Sequence, residues 1–430
     1  MKKILAFVLA AIMLLSLAAC GNKDGGTSTP NGDSATGETA DLLPRKDITS
    51  DVTVPDDFKI GMICLHDENS TYDNNFIKAL KSVQKGMGLK DEQVLIVPNI
   101  GEDNSCYDAA VDLAKKGCDV IFADSFGHES FVKKAAQEYP NVQFCHATGT
   151  SAKLAGIKNF HNAFASIYEG RYLAGIAAGM KLNEMIESGK ITAEQAIIGY
   201  VGAFTYAEVV SGMTSFYLGA RSVCPSATMK VRYTGSWYDQ AKEQEAATAL
   251  IKTEKCVLIS QHADSLGAPT ACELEGVPNV SYNGSTYSAG ENSFIISSAI
   301  NWAPYFQYII ECVAKGEDID SDWCGDIATN SVVLSGLNKG VMAKGTEEKI
   351  KEAVKAFEDG TLHVFDTSKW QKDGQTLTEY QADVDGDFKP DTNVIHDGYF
   401  DESNAGKFRS APYFDIIIDG VTNLNTNYGD

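Results

Sequence analysis

Basic residues are scarce in this chain relative to acidic ones. The 430 residues contain 36 lysines and arginines against 58 aspartates and glutamates, which gives a formal net charge of −22 at pH 7. Nucleic-acid binding requires clustered positive side chains that neutralise phosphates, and anionic lipid surfaces attract the same kind of cluster. The composition therefore argues against a nucleic-acid partner and against attachment to lipid by charge alone. A small soluble ligand remains compatible with it.

Motifs for catalysis and for cofactor binding are also missing. The chain contains no G-x-x-x-x-G-K-[ST] loop, no G-x-G-x-x-G after a first strand, no H-E-x-x-H and no G-x-S-x-G. No histidine–cysteine spacing matches a zinc motif, and no serine–histidine–aspartate set stands out. We therefore expect no catalytic residues, no cofactor and no metal site, which favours a binding protein over an enzyme.

One acidic loop has some of the features of a calcium site. The aspartates of the segment 383–391 place carboxylate oxygens at a spacing similar to that of an EF-hand loop. The glycine and the bidentate glutamate of that loop are replaced here by Phe388 and Val394. We favour a solvated acidic turn, and calcium binding stays open.

Cysteines are present, but their spacing indicates no pairing. There are ten, without any C-x-x-C pair, and several such as Cys64 and Cys145 stand inside apolar runs. This is typical of cysteines buried as small apolar side chains. Export from the cytoplasm would permit disulfides, so whether any form is left open.

Only the N-terminal end carries a long apolar run. Lys2 and Lys3 precede the run Ile4–Leu17, which is shorter than the roughly twenty residues that span a bilayer. This pattern predicts a secretory signal peptide. The segment 17–21, Leu-Ala-Ala-Cys-Gly, resembles the lipobox of bacterial lipoproteins, in which the cysteine is lipidated. The alternative is an ordinary signal peptide in which Cys20 is incidental.

The predicted anchor and the following segment suggest where the protein is located. Cleavage after residue 19 would remove the signal peptide 1–19 with Lys2 and Lys3, so the charge would change from −22 to −24. Residues 20–57 are rich in small and polar side chains, which predicts a flexible tether. No later stretch reaches transmembrane length. We therefore expect a protein on the extracytoplasmic face of the cell membrane, held there only by its lipid anchor.

The remainder of the chain alternates short apolar strands with helices of ten to fifteen residues. Strands such as 59–64 and 93–97 are separated by amphipathic helices, and a second set of the same kind begins near residue 166. This alternation predicts an α/β protein with parallel sheets in two lobes. In such sheets, ligands bind beyond the carboxyl ends of the strands.

Several ordered segments resemble the basic membrane protein (BMP) family. They are 139–144 (YPNVQF), 168–175 (YEGRYLAG), 197–204 (IIGYVGAF), 218–225 (LGARSVCP), 233–239 (YTGSWYD), 242–247 (KEQEAA), 301–305 (NWAPY) and 409–415 (RSAPYFD). The family consists of lipoprotein substrate-binding components of ABC importers, and it includes purine nucleoside receptors. The resemblance extends over roughly residues 58–420.

The resemblance implies a type I periplasmic-binding-protein fold. In that fold two Rossmann-like lobes are joined by three crossovers and close on the ligand by hinge motion. We expect lobe 1 to contain residues 58–165 and 292–335, and lobe 2 to contain 166–291 and 336–370. Residues 371–430 are expected to form a C-terminal extension packed on the lobes.

The resemblance also implies a ligand, a partner and a set of binding residues. The ligand would be a purine nucleoside held between aromatic rings, and the partners would be ABC permease subunits. Tyr72, next to Asp73, is the first stacking candidate, although it could be a surface aromatic at a helix start. Phe204 or Tyr206 matches the opposing ring.

Three positions depart from the nucleoside receptors. The acid that follows the strand 142–145 in the receptors is replaced in a segment containing His146. Their ribose-contacting aspartate becomes Asn283, and their lysine falls near Trp302, which could stack on a base. The prediction therefore widens to a purine nucleoside or nucleobase.

Two further candidates come from the ends of predicted strands. Trp237 could line the cleft or pack beneath its loop, and Asp239 could line the cleft or cap the next helix. Asp264 is the other candidate, and it leaves a second class of function open. An extracytoplasmic nucleoside hydrolase could use acids such as Asp67, Asp73 or Asp264, and a sensing lipoprotein could bind a different small polar ligand.

Overall fold

The structure is a computed structural model that describes residues 41–384, 389–402 and 413–427. The predicted signal peptide, Cys20 and the first half of the predicted tether lie outside these residues. Residues 385–388 of the acidic loop lie outside them as well, so the calcium hypothesis stays a prediction.

Strands and helices alternate through most of the described chain. The strands are β1 (Ile60–Ile63), β2 (Val94–Val97), β3 (Val120–Ala123), β4 (Gln143–Ala147), β5 (Phe160–Ala165), β6 (Ile197–Gly202), β7 (Thr228–Tyr233), β8 (Leu258–His262), β9 (Asn279–Tyr282), β10 (Phe294–Ile300), β11 (Asp322–Gly325), β12 (Val332–Leu334), β13 (Gln381–Ala382), β14 (Thr392–Asn393), β15 (Ile395–His396), β16 (Tyr399–Phe400) and β17 (Val421–Asn423). The helices are α1 (Thr71–Met87), α2 (Asn104–Lys115), α3 (Glu129–Glu138), α4 (Ala152–Ala155), α5 (Ile167–Glu187), α6 (Ala207–Val223), α7 (Gln240–Lys252), α8 (Gly267–Glu275), α9 (Ala303–Lys315) and α10 (Thr346–Glu358).

The strands form two large sheets and two small hairpin-like pairs. The first sheet has the order β11-β5-β4-β3-β1-β2, and the second has the order β12-β10-β9-β8-β6-β7-β17. Within these two sheets, neighbouring strands are parallel, except that β12 runs antiparallel to β10. Every residue of β1, β3 and β8 is buried, as expected for parallel strands covered on both faces. The predicted α/β class with two parallel sheets is confirmed.

The chain passes between the two sheets at three crossovers. The first joins β5 to α5, the second joins β10 to α9, and the third joins β11 to β12. The predicted lobe boundaries differ here from the structure. The sequence predicts that residues 294–300 and 332–334 belong to lobe 1, but they form strands β10 and β12 of the second sheet. The local sequence of an apolar strand would suit either sheet. Only the pairing of β10 with β9 therefore decides to which lobe it belongs.

Residues 41–57 are not the free tether that their polar composition predicts. Leu43 forms an antiparallel bridge with Leu334 at the edge of the second sheet. Arg45 Nη1 donates to Asn301 Oδ1 at 3.1 Å, and the backbone nitrogen of Lys46 donates to Asn330 Oδ1 at 2.8 Å. A few apolar side chains in this segment, Leu42, Leu43, Ile48 and Val54, pack on the core. The segment therefore lies against the second and third crossovers.

We expect Arg45→Ala to lower the free energy of unfolding by about 1 kcal/mol, because hydrogen bonds to Asn301 and Asn75 are lost. Urea denaturation measures the change. Lys46→Ala is the matched control, since its bond to Asn330 uses the backbone. Equal unfolding midpoints for the two variants would show that the arginine contacts contribute nothing.

The cysteines are consistent with the prediction of buried thiols. The nine cysteines of the described ranges are free of disulfides, and eight of them are buried. Across the same ranges, no helix combines the length and the apolar character that crossing a membrane requires.

Candidate functional site

A cavity lies where carboxyl ends of strands from the two sheets face each other. Its lining follows β1, β3 and β4 on one side and β6, β7 and β8 on the other. The lining residues are Leu65, Tyr72, Asp73, Ser125, Phe126, Thr148, Glu208, Trp237, His262 and Asp264. The empty space among these residues amounts to about 340 Å³ when the open solvent at its mouth is included.

The two sides of the cavity touch each other. The backbone nitrogen and the hydroxyl of Thr71 donate to the carbonyl oxygen of Asp264 at 2.9 and 3.1 Å. The rings of Phe126 and Tyr206 lie 5.4 Å apart across the same cleft. The structure therefore has the two lobes in contact around an enclosed site.

The start of α1 positions two of the lining residues. Ser70 caps the helix, its hydroxyl accepting from the backbone nitrogen of Asp73 at 3.2 Å. This cap directs Tyr72 and Asp73 towards the strand ends. The hydroxyl of Tyr72 donates to the carbonyl oxygen of Asp124 at 2.8 Å, and its ring packs edge-on against Phe76 at 4.9 Å. Burial raises the pKa of Tyr72, so its hydroxyl stays protonated.

Asp73 is an ionised acceptor in the cavity wall. Its oxygens accept from the backbone nitrogen of His66 at 2.7 Å and from the hydroxyl of Ser70 at 2.5 Å. Burial alone would raise the pKa of Asp73, but the hydrogen bonds from His66 and Ser70 outweigh burial and hold the pKa below its ordinary value. Asp73 is therefore a carboxylate at neutral pH.

The second lobe contributes Asp264 and Glu208 to the lining, and the pKa of Asp264 is shifted in the direction opposite to that of Asp73. Burial, followed by the negative charge of Asp73 and of two nearby glutamates, raises the pKa of Asp264 well above its ordinary value. Asp264 therefore favours the protonated form, which can both donate and accept hydrogen bonds. Glu208 Oε1 lies 3.7 Å from His262 Nε2, and burial lowers the pKa of His262, which favours the neutral imidazole.

Three possible metal ligands lie close together on the lobe 1 side of the cavity. One ligand atom from each of Cys64, Asp73 and Asp124 falls within 4.8 Å of the other two. Burial and the charge of Asp124 raise the pKa of the Cys64 thiol, and burial and the charge of Asp73 raise that of Asp124. Both groups therefore favour their protonated forms. This arrangement fits hydrogen bonds shared within the group better than a metal ion, which requires deprotonated ligands.

Thr148 carries two features that are typical of a binding site. Its side chain is buried and lines the cavity, and its hydroxyl has no hydrogen-bond partner among the described residues. Its φ is 64°, a left-handed conformation that is unfavourable for a β-branched residue. Such strain is concentrated at functional sites.

We expect Thr148→Gly to weaken ligand binding about fivefold, because one hydrogen bond to the ligand is lost. The free energy of unfolding should stay the same or rise by up to about 1 kcal/mol, since glycine relieves the positive φ. Calorimetry and urea denaturation measure the two quantities. Thr148→Ser keeps the hydroxyl and should bind nearly normally, whereas normal binding by Thr148→Gly would exclude the hydroxyl as a ligand contact.

Comparison with known proteins identifies the family. A family model described as Bmp, ABC transporter substrate-binding protein PnrA-like, matches residues 65–361. The chain belongs to this family. The resemblance predicted from the sequence is therefore confirmed, and the family is described as one of ABC transporter substrate-binding proteins.

Two relatives of this Bmp protein differ in the ligand that their names give. A protein of Haloferax volcanii, provisionally described as an ABC transporter glucose-binding protein, is 34% identical over 251 residues. That match covers 58% of this chain and 59% of the relative, which is less than two thirds of the relative's length. A purine-binding protein of Brucella abortus is 29% identical over 330 residues, which are 74% of this chain and 87% of the relative.

A solved structure supports the predicted fold. An ABC transporter solute-binding protein of Conexibacter woesei superposes with a TM-score of 0.56 at 20% identity. The superposition covers 71% of this chain and 98% of the other. The predicted type I periplasmic-binding-protein fold is confirmed, with two α/β lobes joined by three crossovers.

The structure brings most of the predicted site residues together. Tyr72, Asp73, Trp237 and Asp264 line the cavity. Phe204 and Tyr206 lie beside it, where their rings are 5.0 and 6.1 Å from that of Trp237. Asn283 also lies beside it and donates to Asp264 Oδ1 at 3.4 Å. Asp239 caps α7 by accepting from the backbone nitrogen of Lys242 at 3.0 Å, as the alternative interpretation of that residue predicted.

Two of the predicted residues lie behind the cavity instead. His146 is buried, and its Nε2 donates to the carbonyl oxygen of Ser125 at 2.7 Å, so it supports a lining residue. Trp302 is 1% exposed and stacks on Phe76 with ring centres 4.4 Å apart. The predictions that these two side chains form the binding surface are wrong, because both are enclosed by the core of lobe 1.

The sequence analysis did not single out six lining residues. They are Leu65, Ser125, Phe126, Thr148, Glu208 and His262. All of them lie at or just beyond the carboxyl ends of strands, or in the first turn of the helix that follows. That position is the signal that could have found them, but loop residues of these types are too common to be selected from one sequence.

Proposed function

We propose that this Bmp protein captures a purine nucleobase or nucleoside between its two lobes and delivers it to an ABC permease. We also propose that it acts on the extracytoplasmic face of the membrane, anchored through a lipid on Cys20. The proposal includes the absence of enzymatic activity. Substrate binding for an ABC transporter is the role of the family, and the remaining statements are specific to this proposal.

Aromatic rings and carboxyl groups line the same cavity, and this combination supports the purine proposal. Tyr72, Phe126 and Trp237 supply three aromatic side chains to one cavity. A planar base stacked on such a ring gains about 1–3 kcal/mol. The carboxylate of Asp73 can accept from ring or amino N–H groups, and the protonated form of Asp264 can both donate and accept.

The charge of the cavity narrows the ligand class further. The lining contains Asp73, Glu208 and Asp264, and none of the lining residues is lysine or arginine. The ionised carboxylate of Asp73 would repel a phosphate group, which would also find no positive partner in the lining. Bases and nucleosides fit this lining, whereas nucleotides do not. The purine-binding relative in Brucella abortus, matched over most of its length, supports the same ligand class.

A sugar is the second candidate, because the Haloferax volcanii relative is described as glucose-binding. Carboxylates can accept hydrogen bonds from sugar hydroxyls, and an aromatic ring can pack against a sugar face. The three aromatic side chains around one narrow space favour a flat ligand.

Calorimetry with a ligand panel tests the proposal. The panel contains adenine, guanine, adenosine, guanosine, inosine, AMP and glucose, each titrated into the purified protein. We expect saturable one-to-one binding of at least one base or nucleoside and none of AMP. Binding of glucose alone would replace the purine by a sugar. Chromatography of the nucleoside mixtures should detect no released base, and release with turnover would identify a hydrolase.

We expect Cys20→Ser to move the protein from the membrane fraction to the soluble fraction of cells that express the full chain. The thiol that would carry the lipid is then absent, and a stable anchor needs lipid chains. Fractionation followed by immunoblotting measures the distribution. The control is Cys118→Ser, which alters a buried thiol of the folded body. Membrane retention of both variants would contradict the anchor.

A further inference from the structure

The segment Val421–Asn427 extends the second sheet towards the cavity. Strand β17 pairs with β7 in parallel, with Val421 opposite Met229 and Asn423 opposite Val231. The backbone nitrogen of Leu424 then donates to the carbonyl oxygen of Val231 at 2.8 Å. Because β17 and β7 run in the same direction, the residues after β17 reach the sheet edge at which the ligand cavity lies.

Asn425 continues the pairing with its side chain. Its Oδ1 accepts from the backbone nitrogen of Tyr233 at 2.8 Å, and its Nδ2 donates to the carbonyl oxygen of Tyr233 at 2.9 Å. These two bonds replace a pair of strand hydrogen bonds. Tyr233 is the last residue of β7, so Asn425 holds the start of the loop that carries Trp237.

Asn427 contacts both loops that carry the aromatic side chains of lobe 2. Its carbonyl oxygen accepts from the backbone nitrogen of Thr205 at 2.8 Å and from the hydroxyl of Thr205 at 2.9 Å. Thr205 lies between Phe204 and Tyr206 in sequence. The side-chain amide of Asn427 lies against Gly235, where a Cβ on the glycine would be 2.0 Å from Asn427 Nδ2. Gly235 has a φ of 73°, so the second loop depends on a glycine at this contact.

The rings that these loops present lie close to one another and are not fully buried. Phe204, Tyr206 and Trp237 are only partly buried, and their rings contact one another at centre distances of 5.0–6.1 Å. The two loops are joined by a hydrogen bond from the backbone nitrogen of Gly235 to the carbonyl oxygen of Ala203 at 2.8 Å. Trp237 also packs against the core. The positions of the loop backbones, together with this packing, therefore set where the rings lie.

We propose that the segment Leu424–Asn427 is a positioning element of the ligand site. It fixes the loops 203–206 and 234–237 so that Phe204, Tyr206 and Trp237 form one aromatic wall. This role rests on the proposed function only in assigning that wall to ligand binding. Asn425 and Asn427 contact Tyr233, Thr205 and Gly235, and they act on the aromatic wall through these three residues.

Asn425→Ala tests this role, with Asn159→Ala as the matched control. Asn159 also binds backbone with its side chain, since its Nδ2 donates to the carbonyl oxygens of Ala136, Tyr139 and Val142 in lobe 1. We expect both variants to be less stable in urea. Only Asn425→Ala should weaken binding of the purine from the panel, by roughly tenfold. The same fold-change in both variants would mean a merely structural role and would overturn the proposal.

A second pair of variants covers the case in which Asn425→Ala does not fold. Thr205→Val removes the hydroxyl bond to Asn427 and should weaken binding about threefold, whereas Thr205→Ser should restore wild-type binding. In that case, wild-type affinity in Thr205→Val would overturn the proposal.

Fluorescence separates this inference from the proposed function. Acrylamide quenching should rise in Asn425→Ala but not in Asn159→Ala, and the rise should disappear when Trp237→Phe is added. If the wild-type protein binds no purine, the proposed function fails, but this measurement on the free protein still decides the positioning role. Unchanged quenching in Asn425→Ala would overturn it.

Discussion

Replacing Trp302 by alanine is expected to lower the free energy of unfolding by about 3–5 kcal/mol, the range for large aromatic side chains deleted from a core. The ring is 1% exposed and stacks on Phe76 at 4.4 Å. Phe122 packs edge-on to it at 6.2 Å. Alanine would leave a void between α1, β3 and α9 that the surrounding elements cannot fill without moving.

Urea denaturation and calorimetry together measure this variant. The fraction of Trp302→Ala that remains folded should bind ligand with nearly unchanged affinity, because the ring does not line the cavity. Trp302→Phe fills part of the space, so its loss of stability should be smaller. A variant with normal stability and lost affinity would contradict this placement and would return Trp302 to the binding surface.

Replacing Trp237 by alanine should weaken ligand binding and leave the stability nearly unchanged, which is the reverse of the result expected for Trp302→Ala. Trp237 lines the cavity and is only partly buried. Loss of one stacked ring should weaken purine binding by roughly 5- to 150-fold, from about 1–3 kcal/mol per ring. The free energy of unfolding should change by less than about 1 kcal/mol, as for most positions outside the core.

The measurement is the dissociation constant for the purine that binds in the panel, with the urea midpoint as the stability check. Trp237→Phe keeps a flat ring and should recover most of the affinity. Trp302→Ala is the paired comparison, because the same residue type is removed from the core instead of the cavity. Unchanged affinity in Trp237→Ala would remove this ring from the ligand site.

Elements with strong local patterns were predictable from the sequence. The strands predicted at 59–64 and 93–97 match β1 and β2 within one residue at each end. Helix α8 is a contrasting case. The α8 sequence GAPTACELE begins with glycine and contains proline, which disfavour a helix in isolation. Packing of α8 against α7 overrides that preference.

The sequence predicted the region of the candidate site but not which residues line it. Topology places ligands beyond strand ends, and Tyr72, Trp237 and Asp264 lie there. Trp237 and Trp302 cannot be told apart by their local sequence, because each follows a strand and precedes a helix. Burial separates them, because Trp302 is enclosed by α1 and β3, whereas Trp237 is partly exposed and lines the cavity.

The sequence by itself determined the α/β class, the family and the acidic, motif-poor character of this protein. These features follow from composition, from short periodic patterns and from ordered local segments. Only the tertiary structure decided which lobe β10 joins, that Arg45 and its neighbours lie on the crossovers, and that Thr148 lines the cavity. It also decided that Asn425 and Asn427 hold the aromatic loops. Each of these facts depends on contacts between residues far apart in the chain, and no local pattern encodes such contacts.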